Sequence, residues 1–299
     1  MKAAIPAAIL LQALAAQAVR IVQSNDDGWA ELYIRSFNDA LNAAGHDVVL
    51  SGPAENKSGA GSSDADPAAR KDPCEYNSCP GNNGPVGTNT TRPDLNWVNS
   101  YPVTAIKYGI DTFGPQLWDG QKPEFAVTGP NVGTNLFVQV PFSGTVGAAV
   151  YAAHNEGIPS IAFSGASTGN LAWNTSPVPQ RSLVYAQLAT QLTNKVLASG
   201  KPYLPKDVFL NVNFPEVTGA CTDASKFKWV LSRINPGTIS APDVNWCGST
   251  RLPTELSVHD TDGCYISVSI GDANDKTTIN DDRQAVVLAK LKDILTCLP

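Results

Sequence analysis

The start of the chain contains the pattern that most restricts its fold: an apolar run, an acidic loop, a helix and a second strand. The apolar run covers residues 19–24, and Asn25-Asp26-Asp27-Gly28 follows directly. Apolar side chains then recur at helical spacing over residues 33–44, Gly45 stands where a helix would end, and residues 47–50 form another apolar run. Right-handed crossovers make the two strands parallel neighbours. The two aspartates are thereby predicted at the carboxyl end of a parallel strand, where such sheets bind ligands.

The alternation of strands and helices returns later in the chain. Strands are predicted at residues 124–128, 160–164 and 208–213, and helices at residues 144–155 and 181–198. A chain of 299 residues can build one large hydrophobic core. The pattern predicts a doubly wound α/β fold in a single domain over residues 19–299.

Two segments depart from this alternation. Residues 52–99 are rich in Gly, Pro, Ser, Asn and Asp and contain two of the cysteines, which predicts a disulfide-stapled surface excursion. Residues 216–299 contain short β runs at 228–232 and 265–270, followed by a helical pattern over 281–296. This C-terminal part is predicted to be a β-rich extension with a terminal helix.

Residues 1–18 have the features of a cleavable signal peptide. Lys2 precedes an apolar stretch, and Ala16-Gln17-Ala18 gives the small-x-small pattern of a cleavage site. The apolar stretch is shorter than the roughly 20 residues of a membrane span, so no membrane anchor is expected. A secreted, extracellular protein is predicted, and sequons at Asn89 and Asn174 suit a glycoprotein.

Six cysteines follow the predicted cleavage point, and an even number in a secreted chain indicates disulfides. The sequence does not fix their pairing. Closeness along the chain favours Cys74 with Cys79, Cys221 with Cys247, and Cys264 with Cys297. Zinc is the competing interpretation, but the chain has no C-x-x-C and its cysteine gaps lack the pattern of a tetrahedral site.

The formal net charge of the chain is −6, which disfavours polyanionic partners. Long nucleic acid is therefore not expected as a partner. A small phosphate can still bind an acidic protein when a bound cation reverses the local field.

Asp26 and Asp27 are adjacent acids whose like charges repel unless a cation or a proton resolves the conflict. Asp-Gly is also common in plain turns, so this segment alone leaves both a turn and a metal site open. Three further polar clusters, residues 55–63, 128–135 and 142–145, lie where predicted strands end or a helix begins. Their placement favours a site at the carboxyl ends of the parallel strands.

Together these segments resemble, in order and spacing, the survival protein SurE family of nucleotidases and acid phosphatases. The resemblance rests on Asn25-Asp26-Asp27-Gly28, Asn56-Lys57-Ser58-Gly59, Gly129-Pro130-Asn131-Val132-Gly133-Thr134-Asn135 and Ser143-Gly144-Thr145-Val146-Gly147-Ala148-Ala149, with further matches at residues 157–164, 210–215, 261–262 and 265–268. It implies a Rossmann-like, doubly wound, three-layer core with a C-terminal β-hairpin and helix appendage. It also implies hydrolysis of small phosphomonoesters with a divalent cation, and a homodimer formed through the C-terminal region.

The resemblance also implies site residues. The cation ligands would be Asp26, Asp27, Ser58 and Asn131, and hard oxygen donors of this kind suit Mg²⁺, Mn²⁺ or Ca²⁺. The substrate-binding residues would be Asn25, Gly59, Asn135, Ser143, Gly144 and Thr145. A metal-activated water attacking phosphorus is favoured over an aspartyl-phosphate, because ligation would occupy the carboxylate that must attack. A glycan on Asn56 would crowd Ser58, so that sequon is expected to be unused.

The chain departs from the family pattern near the expected substrate face. Residues 29–32, Trp-Ala-Glu-Leu, replace the usual Ala-Pro-Gly, and residues 100–105 replace a usual Gly-Thr-Pro-x-Asp-Cys stretch. Nucleotide specificity therefore stays open. The signal peptide and the disulfides resemble secreted fungal relatives rather than the cytosolic bacterial members.

A serine esterase is the sharpest alternative. Gly165-Ala166-Ser167-Thr168-Gly169 follows a predicted strand, with Asp243 and His259 downstream in serine-hydrolase order. A nucleophile elbow requires a helix directly after the serine, and residues 170–179 show no helical face. A non-catalytic secreted binding module is the second alternative, and the cost of holding two adjacent acids disfavours it.

The three histidines are isolated in the sequence, which is weak evidence for a catalytic role. His46 begins a predicted strand and His154 lies late in a predicted helix, so both are expected to be structural or solvated. His259, beside Asp260 and Asp262, is a candidate acid or supporting group at the site.

Overall fold

The computed structural model describes residues 18–299, so all of the predicted signal peptide except Ala18 lies outside the described residues. The strands are β1 (Arg20–Ser24), β2 (Asp47–Pro53), β3 (Val86–Thr88), β4 (Leu95–Val98), β5 (Phe125–Val132), β6 (Ser160–Gly165), β7 (Val208–Phe214), β8 (Lys228–Ser232), β9 (Tyr265–Asp272) and β10 (Leu295–Thr296). The helices are α1 (Leu32–Ala43), α2 (Pro102–Tyr108), α3 (Gly114–Leu117), α4 (Gly144–His154), α5 (Gln180–Ala198), α6 (Glu255–His259) and α7 (Asp282–Leu291). No helix in this part of the chain is long and apolar enough to cross a membrane.

All described strands join one sheet in the order β10-β8-β9-β7-β6-β5-β1-β2-β4-β3. Strand β1 pairs in parallel with β2 on one side and with β5 on the other. Chain order therefore reverses at β1, which makes the gap between the ends of β1 and β5 a topological switch point. Open α/β sheets bind their ligands in the crevice at such a point. The predicted doubly wound α/β fold is confirmed.

Helices cover both faces of the sheet because the buried strands alternate apolar side chains between the two faces. Ile21 of β1 belongs to a core cluster with residues of α1 and α5, whereas the next residue, Val22, packs with residues of α2 and α4. Small residues such as Ala126 and Ala148 share that second cluster, so an alanine-rich α4 can lie close to the sheet. This close packing holds the first turn of α4 beside the end of β1.

The segment over residues 52–99 contributes more to the sheet than the sequence predicts. It begins with the last part of β2, and Leu95–Val98 forms β4, a fully buried strand parallel to β2. The apolar run of β4 is only four residues long and lies among Gly-, Pro- and Asn-rich turns, which hides it from a periodicity analysis. The rest of the segment is an excursion stapled by Cys74–Cys79, as predicted.

The C-terminal strands extend the main sheet, and β8 and β9 do not form a hairpin with each other. Strand β9 pairs antiparallel with β7, while β8 and β9 pair with each other in parallel and are joined through α6. The terminal helix ends at Leu291, earlier than predicted, because the chain then pairs with β8 as β10. Strand pairing with distant partners decides these features, and local patterns do not report it.

Two of the three predicted disulfides are wrong. Cys221 pairs with Cys264 and Cys247 with Cys297, across 43 and 50 residues of sequence. Cys264 directly precedes β9, and Cys297 directly follows β10, which pairs with β8. The sheet thus brings together cysteines that are distant in sequence, so closeness along the chain selects the wrong partners.

Candidate active site

Asp26 and Asp27 lie in the loop that follows β1, at the switch point of the sheet. Both residues are almost fully buried, with 2% and 1% of their surface exposed. The carboxylate of Asp26 accepts hydrogen bonds from the Thr145 hydroxyl at 2.6 Å and from the Gly144 backbone N–H at 3.0 Å. The carboxylate of Asp27 accepts bonds from the Val132 N–H at 2.8 Å and from the Asn170 amide at 2.9 Å. Every one of these donors is neutral.

The environment of this pair disfavours negative charge. Burial raises the pKa of Asp26 above its ordinary value. Burial and the neighbouring charge of Asp26 together raise the pKa of Asp27 to about 7. A bound cation would remove both penalties, because it stabilises the ionised carboxylates.

Two glycines allow the loops to approach so closely. Gly28 has a φ of +107°, a conformation that favours glycine, and a Cβ there would lie 1.9 Å from Glu75 Oε1. Gly144 opens α4 directly against Asp26, and a Cβ on Gly144 would lie 2.8 Å from the Asp26 Cβ. Ser143 caps this helix by accepting a hydrogen bond from the Val146 N–H at 3.1 Å. The amino end of α4 is thereby fixed on the carboxylate of Asp26.

The other two predicted ligands come from neighbouring loops. Asn131 lies near the end of β5, after a break in its pairing with β6, and its Oδ1 is 3.4 Å from the same Thr145 hydroxyl that binds Asp26. The loop carrying Ser58 is tied to the site because the Lys57 N–H donates to the Asp26 carbonyl at 2.6 Å. Asn56 connects this loop to Asp27, with its Nδ2 at 3.5 Å from Asp27 Oδ1.

These residues border an open cleft with a volume of about 810 Å³. The predicted site residues that line it are Asp26, Ser58, Gly59, Asn131, Asn135 and Ser143. Asp27, Asn25, Gly144 and Thr145 lie beneath the cleft surface. The Asn25 amide donates to the Gly28 carbonyl at 2.9 Å, so this side chain holds the acidic loop in shape.

Asp26, Asp27, Ser58 and Asn131, which we call the candidate cation site, suit a hard divalent cation. Two carboxylates, a hydroxyl and an amide oxygen are the donor types that Mg²⁺, Mn²⁺ and Ca²⁺ prefer. The carboxylates are buried without a cationic hydrogen-bond partner, which is the condition that a bound cation would relieve. The residues present therefore fit the ion that the resemblance implies.

Comparison with known proteins places the chain in a family. The family model described as survival protein SurE matches residues 21–236. The chain belongs to the survival protein SurE family. The match includes all residues of the candidate cation site and the first turn of α4.

Individual relatives of this SurE-family chain carry two kinds of name. It is 31% identical to a protein named acid phosphatase from Yarrowia lipolytica, over 84% of this chain and 78% of that protein. It is 30% identical to a protein named 5'-nucleotidase SurE from Geobacter metallireducens, over 67% of this chain and 66% of that protein. The crystal structure of the SurE protein from Aquifex aeolicus shares the fold, with a TM-score of 0.57 and 23% identity over 85% of this chain and 93% of that one.

Asn170 is a site residue that the sequence does not predict. It lies on the loop after β6, and that loop is fixed on residues 30–32 by two backbone hydrogen bonds, from Leu32 N–H to Leu171 O and from Trp173 N–H to Ala30 O, both at 2.9 Å. No motif marks Asn170, because its role depends on where the loop is docked.

Glu31 lies within residues 30–32 and is fully buried behind Asp27. Its carboxylate accepts hydrogen bonds from the backbone N–H groups of Tyr33 and Leu171. Burial, followed by the charge of Asp27, raises the pKa of Glu31 to about 8. A glutamate four residues after the aspartate pair, at the start of a helix, is the sequence signal that could have marked it.

The residues of the alternative serine-hydrolase triad do not form one. Ser167 Oγ accepts hydrogen bonds from the Tyr185 hydroxyl at 2.9 Å and from the Val217 N–H at 3.1 Å. Asp243 pairs with Arg233 at 2.5 Å, and His259 faces Asp260. The helix that follows Ser167 begins only at Gln180, so the nucleophile elbow is also missing from the described chain.

Proposed function

We propose that this SurE-family chain is a divalent-cation-dependent hydrolase of small phosphomonoesters, of the acid phosphatase and nucleotidase type. The observation that carries the proposal is the pair of buried, adjacent aspartates at the switch point, whose hydrogen-bond partners are all neutral. The names of the relatives, acid phosphatase and 5'-nucleotidase SurE, agree with this chemistry. The volume of the cleft, about 810 Å³, suits a small-molecule substrate rather than a polymer.

In this proposal Asp26, Asp27, Ser58 and Asn131 hold the cation. The cation, when bound, would supply positive charge to the phosphoryl oxygens and lower the pKa of a water molecule. Water attacks phosphorus, the ester P–O bond breaks, and inorganic phosphate and an alcohol are released. Gly59, Asn135 and Ser143 line the cleft beside the candidate cation site and are placed to orient the phosphoryl group.

Asp26 is poorly placed to act as a nucleophile. Its two carboxylate oxygens are engaged by the Thr145 hydroxyl and the Gly144 N–H, and the first turn of α4 packs against it. An attacking carboxylate would lose these hydrogen bonds and its role in holding a cation. Direct attack by water is therefore the mechanism that the geometry favours.

The proposal includes secretion. The signal-like sequence over residues 1–18 and the three disulfides support an oxidising, extracellular location. Asn174 is exposed and Asn89 is partly exposed, so both sequons are accessible to a glycosyl transferase. Asn56 points its amide nitrogen at Asp27, which supports the expectation that this sequon is unused. A homodimer through the C-terminal region remains a prediction.

The test is hydrolysis of p-nitrophenyl phosphate by the purified chain from pH 4 to 8, with Mg²⁺, Mn²⁺, Ca²⁺ or EDTA. We expect turnover that requires a cation and falls on the order of 10³-fold in Asp26→Asn, because the variant lacks a carboxylate at the cation. Asp39→Asn is the matched control, since Asp39 is an exposed aspartate on α1 outside the cleft. Activity in EDTA equal to that with cations, or an Asp26→Asn variant as active as Asp39→Asn, would contradict the proposal. Absence of turnover under every condition would favour the binding-module alternative.

A further inference from the structure

The cleft that holds the candidate cation site is also lined by residues of other chemistry. Thr168, Glu216 and His259 line it together with the apolar side chains of Val138 and Phe142. Within the described residues, the cleft lining contains one histidine and no lysine or arginine. Among the described lining residues, His259 is therefore the one that carries an imidazole, a group that commonly acts as a general acid.

His259 is held in place by the packing of α6, of which it is the last residue. The first residue of that helix, Glu255, is fully buried, and its carboxylate accepts hydrogen bonds from the Asn211 amide at 2.6 Å and the Phe137 N–H at 3.3 Å. Thr254 caps the helix by accepting a bond from the Ser257 N–H at 3.0 Å. A short helix fixed at its buried end presents His259 to the cleft in a defined position.

One nitrogen of His259 is available to a bound molecule. Its Nδ1 lies 3.4 Å from Asp260 Oδ1, a contact that orients the ring. Nε2 makes no hydrogen bond to any residue of the described chain. The charged side chains beside it are Asp260, on the following turn, and Glu216, which also lines the cleft.

We propose that His259 is a further catalytic residue, which donates a proton from Nε2 to the leaving-group oxygen of the phosphomonoester. This inference rests on the proposed function. In the step, a water oxygen forms a bond to phosphorus, the ester P–O bond breaks, and its electron pair stays on the leaving oxygen. That oxygen takes the proton of the imidazolium and departs as an alcohol. The attacking water loses its proton to solvent, and the imidazole regains one from solvent.

The place of His259 in the cleft lining fits this role. His259 lines the same cleft as Asp26, Ser58 and Asn131, so a phosphomonoester held at the candidate cation site would lie in the same cleft as His259. An alkoxide leaves slowly unless it is protonated, and general acids contribute about 10²–10⁴-fold to such steps. Nitrophenolate is a stable anion and leaves without a proton. The two kinds of leaving group therefore separate proton donation from other roles of His259.

The experiment compares glycerol phosphate with p-nitrophenyl phosphate as substrates of the cation-loaded full chain. We expect His259→Asn to lower kcat/KM for glycerol phosphate about 10²-fold and for p-nitrophenyl phosphate less than about threefold, with loss of the basic limb of the glycerol phosphate pH profile. His154→Asn is the matched control, because His154 is an exposed histidine that contacts Asp207 outside the cleft. His154→Asn should leave kcat/KM for both substrates unchanged. His259→Gln should behave like His259→Asn.

Several results would overturn the inference. An equal loss on both substrates would assign His259 a binding or structural role, and no loss on either would exclude it from the reaction. A selective loss on glycerol phosphate in Glu216→Gln but not in His259→Asn would assign the proton to Glu216. Cation-independent turnover, or none, by the wild type would instead contradict the proposed function, which the nitrophenyl substrate reports without needing His259.

Discussion

Two buried aspartate sites in this molecule resolve the same electrostatic problem in different ways. Asp243, in the C-terminal part of the sheet, pairs with the fully buried guanidinium of Arg233 and also accepts hydrogen bonds from the Leu252 N–H, Asn280 and Gln284. Burial works to raise its pKa, but those bonds and the charge of Arg233 outweigh burial, and the pKa is lowered. The pKa of Asp26 at the switch point is raised, because burial outweighs bonds from neutral donors alone.

The difference separates a structural carboxylate from one that is kept for a ligand. The charge of Asp243 is balanced by a cation that belongs to the fold, so the site is complete without any further molecule. Asp26 and Asp27 have hydrogen bonds that fix their positions, and no guanidinium or ammonium among their bonded partners. Burial of these two carboxylates therefore lowers the stability of the fold at the switch point, and a bound cation would offset that loss.

The comparison predicts its largest effect on stability at Asp243. Asp243→Asn should lower the free energy of unfolding by about 3–5 kcal/mol, because it leaves the buried Arg233 charge without its partner. Asp26→Asn should change the free energy of unfolding in EDTA by less than about 1 kcal/mol, since lost hydrogen bonding is offset by relief of repulsion with Asp27. Urea unfolding in chelator measures both. If Asp26→Asn lowered the free energy of unfolding as much as Asp243→Asn, the proposed difference between the two sites would be contradicted.

A smaller effect is expected for a residue that positions Asp27. Asn170→Ala should weaken cation binding by about 10–100-fold, the usual effect of removing a hydrogen-bond partner of a metal ligand. Isothermal titration with Mn²⁺ is the measurement. Asn194→Ala serves as the control, because Asn194 contacts His46 in a different cavity. Equal affinities of the two variants would remove Asn170 from the site.

Glu255 provides a third type of buried carboxyl, which is expected to be neutralised by a proton. Burial raises its pKa to about 8, above the ordinary value of 4.5, although hydrogen bonds such as that from Asn211 oppose the shift. Its contribution to stability is therefore complete below pH 4.5 and is lost as the pH rises through 8. Thermal unfolding in EDTA should show wild type losing on the order of 3 kcal/mol more than Glu255→Gln between pH 5 and pH 8. Parallel pH dependences of the two proteins would contradict this assignment.

Local sequence patterns predict where the two aspartates lie in the fold. The period of apolar residues predicts β1, α1 and β2, and strand order then places Asp26 and Asp27 at the switch point. Asn131 and Ser58 follow from family motifs, and the structure brings both to the same cleft. The same short segments contain the polar side chains of the candidate site and the apolar pattern that determines the strand order. Both can therefore be predicted from sequence.

Long-range pairing accounts for what the sequence did not reveal. Cys221 joins Cys264 because β8 and β9 are neighbours, and β4 is buried because β2 offers it a sheet edge. Asn170 reaches Asp27 only because its loop docks on residues 30–32. None of these partners is adjacent in sequence, so the local sequence pattern gives no signal for the contacts between them.

Direct cation binding is the measurement that tests the central claim most closely. Chelator-treated wild type, Asp26→Asn and Asp39→Asn are titrated with Mn²⁺ and Mg²⁺ in a calorimeter. We expect one high-affinity cation per chain in wild type and in Asp39→Asn, and none in Asp26→Asn, because only the last variant loses a buried carboxylate at the switch point. Binding by Asp26→Asn as tight as that of wild type, or no binding by wild type, would contradict it.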